Sequence, residues 1–139
     1  MKTCQRFRII LCLLFFGAMP SLLAQKISIS ASPTTITNEA DQSTITLTVS
    51  PPASRNLAVN LVATGTAALG VDYVVIGNFN SQNQVVIPAG SSTVTLTLQS
   101  LVDDNDGTLK ESAVLNIISG RFYRVGRPSH AQVTIENQP

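Results

Sequence analysis

Tryptophan is absent from this sequence, and aromatic side chains of all kinds make up only 5% of it. A small secreted carbohydrate-binding module would have few aromatic platforms on which to stack sugars, which disfavours that class. Cysteine occurs twice, at Cys4 and Cys12, both near the start of the chain. If they leave with a leader, the rest can form no disulfide and no Cys-ligated zinc site. Charge is scarce too, at 12% of residues. Enzyme motifs are missing: there is no G-x-S-x-G elbow, and after residue 24 no phosphate loop closing in G-K-[ST]. His130 is the lone histidine, with no nearby Asp to orient it, so no nucleophile–base pair comes into view. The sequence reads as a non-enzyme.

What is present starts with Lys2, Arg6 and Arg8, followed by the uncharged run "IILCLLFFGAMPSLLA" at 9–24. That run is short for a bilayer span, which needs about 20 apolar residues. A basic leader, an apolar stretch and a small residue at Ala24 form the pattern of a secretory signal peptide cut between Ala24 and Gln25. Leu22 stands where a small residue is preferred, and an uncleaved anchor is the rival reading. The expected division is a signal peptide over 1–24 and one domain over 25–139. The mature chain would carry no transmembrane span and be secreted, periplasmic or held at the cell surface. Removing the leader leaves six basic against eight acidic side chains, a net charge of −2. So mild a balance argues against a nucleic-acid partner, which needs a clustered basic face.

The mature sequence alternates. "STITLTVS" (43–50) sets Ile45, Leu47 and Val49 against Thr44, Thr46 and Thr48, and "STVTLTLQSLV" (92–102) repeats the pattern with Val94, Leu96 and Leu98. Similar runs occur at 26–31, 56–64, 72–77, 83–90, 112–119 and 131–137. Period-2 alternation in Val, Ile and Thr predicts half-buried strands, and no stretch repeats apolar residues at helical spacing over three turns. Turn residues punctuate the runs at short intervals, as in "SPP" (50–52), "PAGSS" (88–92) and "DDNDG" (103–107). The fold class that follows is all-β, an antiparallel sandwich of seven or eight strands.

Three segments carry a family resemblance: "TGTAALGVDYVVI" (64–76), "VVIPAGSSTVTLTLQSLVDDNDGTLKESAVLNI" (85–117) and "AQVTIEN" (131–137). Gly-Thr-Ala leading to Asp-Tyr, a Pro-x-Gly turn opening a strand that ends in Asp-Asp, and glutamates shortly after resemble the Calx-beta domain. The resemblance implies an immunoglobulin-like sandwich and the family's roles in calcium-regulated sensing, protein interaction and adhesion at cell surfaces. It implies calcium as the ligand, held by loops at one end. The matching positions are Asp103, Asp104, Asp72 and Glu39, with Glu136 a looser match. Two departures bear on the site. Thr108 stands where strong binders often place a carboxylate, and "ENQP" replaces a closing run of aspartates. Glu111 matches the family's later glutamate, which can support the loop or bind metal.

The acidic turn has a plainer explanation as well. Asp and Asn bond their own backbone, and Gly107 supplies positive φ, so "DDNDG" makes a good turn without an ion. It is not an EF-hand: counting back from Gly107 puts Val102 at position 1 and Ala113 at position 12, where a glutamate is required. With so few carboxylates, a weak or single calcium site is the expectation, and a metal-free structural spacer of the cell envelope is the alternative. Arg121, Arg124 and Arg127 with Phe122 and Tyr123 form the one basic cluster. It reads as a solvated loop, or else as a contact for a partner or an anionic glycan.

Overall fold

The computed structural model describes residues 24–37, 40–102 and 107–137. In chain order its strands are β1 (Lys26–Ser32), β2 (Thr35–Thr37), β3 (Gln42–Ser50), β4 (Leu57–Val59), β5 (Leu61–Gly65), β6 (Tyr73–Ile76), β7 (Val85–Ile87), β8 (Thr93–Ser100), β9 (Lys110–Ile117), β10 (Arg124–Val125) and β11 (His130–Glu136). No helix occurs among the described residues, and none there could cross a membrane.

Alternation decides which side chains face inward. Along β3, Ser43, Ile45, Leu47 and Val49 are buried while Thr44 and Thr48 are exposed, as a two-residue period on a pleated strand requires. One sheet runs β10-β1-β3-β8-β6 and the other β2-β11-β9-β5, with β4 and β7 forming a separate pair. Ile27, Ile29, Leu47 and Leu98 from the first sheet join Ile36, Leu115, Val133 and Ile135 from the second in one core. Each fully buried Leu or Ile contributes about 1.5–3 kcal/mol of burial. The chain passes from the first sheet to the second across Pro33 and Thr34, so β1 lies between β10 and β3 in one sheet while β2 edges the other. This split first strand, with the orders above, is an immunoglobulin-like sandwich.

Eleven strands stand where seven or eight are expected because three short features carry no period of their own. β2 has three residues and β10 two, and the run 56–64 breaks at Asn60 into β4 and β5. Asn60 N donates to Tyr123 Oη at 3.0 Å instead of to a neighbouring strand.

Strand polarity defines two ends. At one, β1, β2, β8 and β11 finish and β3, β6 and β9 begin; it carries Asp41, Asp72, Lys110, Glu111 and Glu136. At the other, β3 and β9 finish, β1, β8 and β11 begin, and Lys26, Arg55, Arg121, Arg124 and Arg127 lie on or beside them. We call these the acid end and the basic end.

Candidate functional site

The Gly-Thr-Ala stretch has a structural reason. Gly65 sits at φ 110°, and a Cβ there would run into the carbonyl of Ser112 on β9. Ala67 is buried, and its N–H donates to Ser112 O at 3.0 Å. Ser112 N donates to Thr66 Oγ1 at 2.8 Å. The chain then turns through Ala68 to Asp72, where Ala68 N donates to Asp72 Oδ2 at 2.5 Å and Asp72 N donates to Ala68 O at 2.9 Å. Asp72 therefore closes its own turn before β6 begins.

Backbone and side-chain bonds fix both flanks of the acidic turn. On one flank, Leu101 N donates to Asp72 O at 2.7 Å. The buried Ser100 hydroxyl donates to Thr37 O at 2.6 Å and accepts from Asp41 N at 3.0 Å. On the other flank, Asn137 Nδ2 donates to Thr108 O at 2.7 Å, and Asn137 N to Leu109 O at 2.9 Å. Ser100 and Leu101 are thus tied to the turn before β6, to β2 and to the β2–β3 connection, and Thr108 and Leu109 to the residue that follows β11. Asp41 belongs to the same frame: it accepts from Thr37 N at 3.1 Å and Gln42 N at 2.8 Å. The Thr37 and Gln42 amides hold the Asp41 carboxyl below its ordinary 3.8.

Of the five expected ligands, Asp103, Asp104 and Glu39 lie outside the described residues, in the β8–β9 and β2–β3 connections of the chain. Asp72 sits beside the first flank. Its Oδ2 is committed to Ala68 N, while a carboxylate has further lone pairs to offer. Glu136 is directly opposite Lys110 in the β11–β9 register, and Lys110 Nζ meets its Oε1 at 2.7 Å. Sequence reasoning missed that pairing because the partner lies 26 residues away. Both side chains are exposed, so the pair is worth about 0–1 kcal/mol and can be exchanged for another cation. Thr108 contributes its carbonyl to the frame through Asn137. Glu111 is 7% exposed and already has a partner, which suits the loop-supporting role open to that position. Among the described residues no group of three or more His, Cys, Asp or Glu side chains could hold a metal ion.

Tyr73, next to Asp72, is 0% exposed, and its hydroxyl has no hydrogen-bond partner among the described residues. Burial, then the neighbouring Asp72 charge, pushes its phenol above its ordinary 10.0. A cavity of about 310 Å³ opens between the two edge strands, with Leu61 and Ala63 of β5 on one side and Val75 of β6 and Phe79 on the other. The side chains lining it are apolar apart from Asn83, and its volume lies at the low end for small-molecule sites.

The basic cluster is more ordered than the solvated loop that its composition suggests. Tyr123 is buried at 7% exposure; its hydroxyl donates to Ile118 O at 2.6 Å and accepts from Asn60 N. Gly120 lies so close to the Tyr123 ring that a Cβ there would overlap it. From Arg124 on, the chain is zipped alongside β1: Arg124 N donates to Gln25 O at 2.8 Å, Gly126 N to Ile27 O at 2.6 Å, and Ile29 N to Pro128 O at 3.0 Å. Phe122 stays 53% exposed. The Arg55 guanidinium, from the β3–β4 connection, lies 4.1 Å from its ring centroid, and that of Arg121 lies 5.7 Å away.

No family model matches this chain, and no curated protein matches it. Among solved structures, the chain is similar to the crystal structure of CBD12 from CALX1.2, a Calx-beta domain protein, with a TM-score of 0.57 at 16% identity. The match covers 79% of this chain and 45% of that one, so this chain spans less than half of that structure. At this identity the likeness is one of fold: an all-β sandwich similar to a Calx-beta domain.

Proposed function

We propose that this chain is a secreted or cell-surface interaction module that binds calcium weakly at its acid end. The ion would stiffen the loops there and orient them toward a protein or cell-surface partner. The observation that carries this reading is the frame around the acidic turn. Asp72 holds one flank through Leu101, and Asn137 holds the other through Thr108 and Leu109. A frame of that kind limits the loop entropy that ion binding must overcome.

Calcium takes 6–8 oxygen ligands in tolerant geometry. Asp103, Asp104 and Asp72 are the core candidates, with Glu39 from the neighbouring connection. Glu136 would join only by giving up Lys110, whose positive charge opposes a nearby cation. A set this small leaves limited Coulombic attraction to offset dehydration of the ion, so one weak site is the outcome. Residues 1–24 act as the signal peptide in this reading, and the domain carries out no catalysis. A second reading, a metal-free spacer of the cell envelope, draws support from Asp41, Asp72 and Glu136. Each of these already has a partner within the chain.

Thermal melting separates the two. Millimolar calcium raises the melting temperature, a chelator reverses the rise, and Asp103→Ala/Asp104→Ala abolishes it. At 100 times its dissociation constant the ion adds about 2.7 kcal/mol. A wild-type chain that melts unchanged in calcium would leave the spacer reading standing.

A further inference from the structure

Five of the six basic side chains after residue 24 gather at one end, although residues 25–139 as a whole carry a slightly negative net charge. Lys26 and Arg124 are Cα partners in the β1–β10 register, Arg127 follows on the segment zipped to β1, and Arg55 and Arg121 share the Phe122 ring. All five are exposed. Among the described residues the one ion pair is Lys110–Glu136 at the opposite end, so none of the five meets a carboxylate there.

The platform beneath them is fixed. Tyr123 anchors its connection through two hydrogen bonds, and Gly120 lets the ring pack against the turn. A guanidinium stacked on a phenyl face keeps its N–H edges free, and those edges form a planar fork that suits carboxylate and sulfate oxygens. We infer that the basic end is a docking surface for an acidic polysaccharide, whose carboxylate or sulfate groups it engages through Arg55, Arg121, Arg124 and Arg127. Recognition by forks differs from stacking of neutral sugars, so the scarcity of aromatic residues does not count against it.

Three sources of anionic charge other than a polysaccharide fit less well. Duplex DNA carries one charge per about 1.7 Å, a density suited to an extended basic face more than to one small end of an acidic molecule. A lipid surface would take up the exposed Phe122 only together with the charge stacked on it. Among the described residues, the carboxylates that the acid end of a second copy would offer, Asp41, Asp72 and Glu136, are engaged at home.

The test is binding of the chain to immobilised heparin, which carries sulfate, and to alginate, which carries carboxylate alone, in chelator. The expected result is retention on at least one at low salt, weakening more than about tenfold between roughly 50 and 200 mM salt. Arg55→Ala/Arg121→Ala weakens it about tenfold or more with an unchanged melting temperature, Arg55→Lys/Arg121→Lys weakens it several-fold, and Lys110→Ala leaves it intact. The inference is overturned if neither polymer is retained, or if the double alanine variant binds as wild type does. Full retention by the lysine variant would overturn the stacked-fork site. Equal or tighter binding of duplex DNA or phosphatidylglycerol vesicles would overturn the polysaccharide assignment.

Discussion

At the acid end Asp41, Asp72 and Glu136 each accept a hydrogen bond or ion pair from their own chain. At the basic end Lys26 and four arginines meet no carboxylate among the described residues. The two tyrosines of the chain divide the other way. Tyr73, at the acid end, buries a hydroxyl without a partner among the described residues, while Tyr123, at the basic end, has two partners for its own. Among the described residues, Asp41 and Asp72 build turns at one end and Glu136 pairs across strands there, whereas a buried phenol builds the other end and leaves its cations on display. The difference teaches that charge count alone does not locate function. What counts is whether a charged group is already satisfied by the fold.

The comparison can be broken most forcefully at Gly120. Gly120→Ala forces the Tyr123 ring out of place, and overpacking of this kind costs about 3 kcal/mol. Urea denaturation should register the loss, and polysaccharide binding should fall with it. Next comes the same substitution made at both ends. Tyr123→Phe leaves Ile118 O and Asn60 N without their partner and should cost about 2 kcal/mol, whereas Tyr73→Phe removes an unsatisfied hydroxyl and should be neutral or stabilise by about 1 kcal/mol. Equal losses in both variants would mean that the two hydroxyls do the same work, and the contrast would collapse.

The smallest effect is in acid. Asp41 is held below 3.8 in the folded state, so its contribution is present above that value and is lost as pH falls through the folded value. Melting temperature followed below about pH 4 should drop less steeply in Asp41→Asn than in wild type, and parallel curves would remove Asp41 from the frame.

Much of the sandwich was legible because period-2 alternation is a local signal. Residues 43–50 and 92–102 announce β3 and β8 through their threonines and buried aliphatics, almost to their bounds. β2 and β10 were not legible, since three and two residues cannot display a period and both exist by pairing with distant strands, β11 and β1. The contacts around the expected ligands were not legible. Asp72 lies in the turn before β6, and its bond to Ala68 N is a property of that turn. Lys110 beside Glu136 and Arg55 over Phe122 depend on strand register and on loop meetings across the sandwich, which no short window of sequence encodes.

The most direct test of the division between the ends is a calcium titration followed by amide chemical shifts in a two-dimensional NMR spectrum. The account predicts saturable shifts confined to residues 37–42, 68–73, 100–111 and 135–137, with 53–56 and 120–130 unmoved. Shifts that centre on the arginines, spread evenly over the sandwich, or fail to appear at millimolar calcium would contradict it.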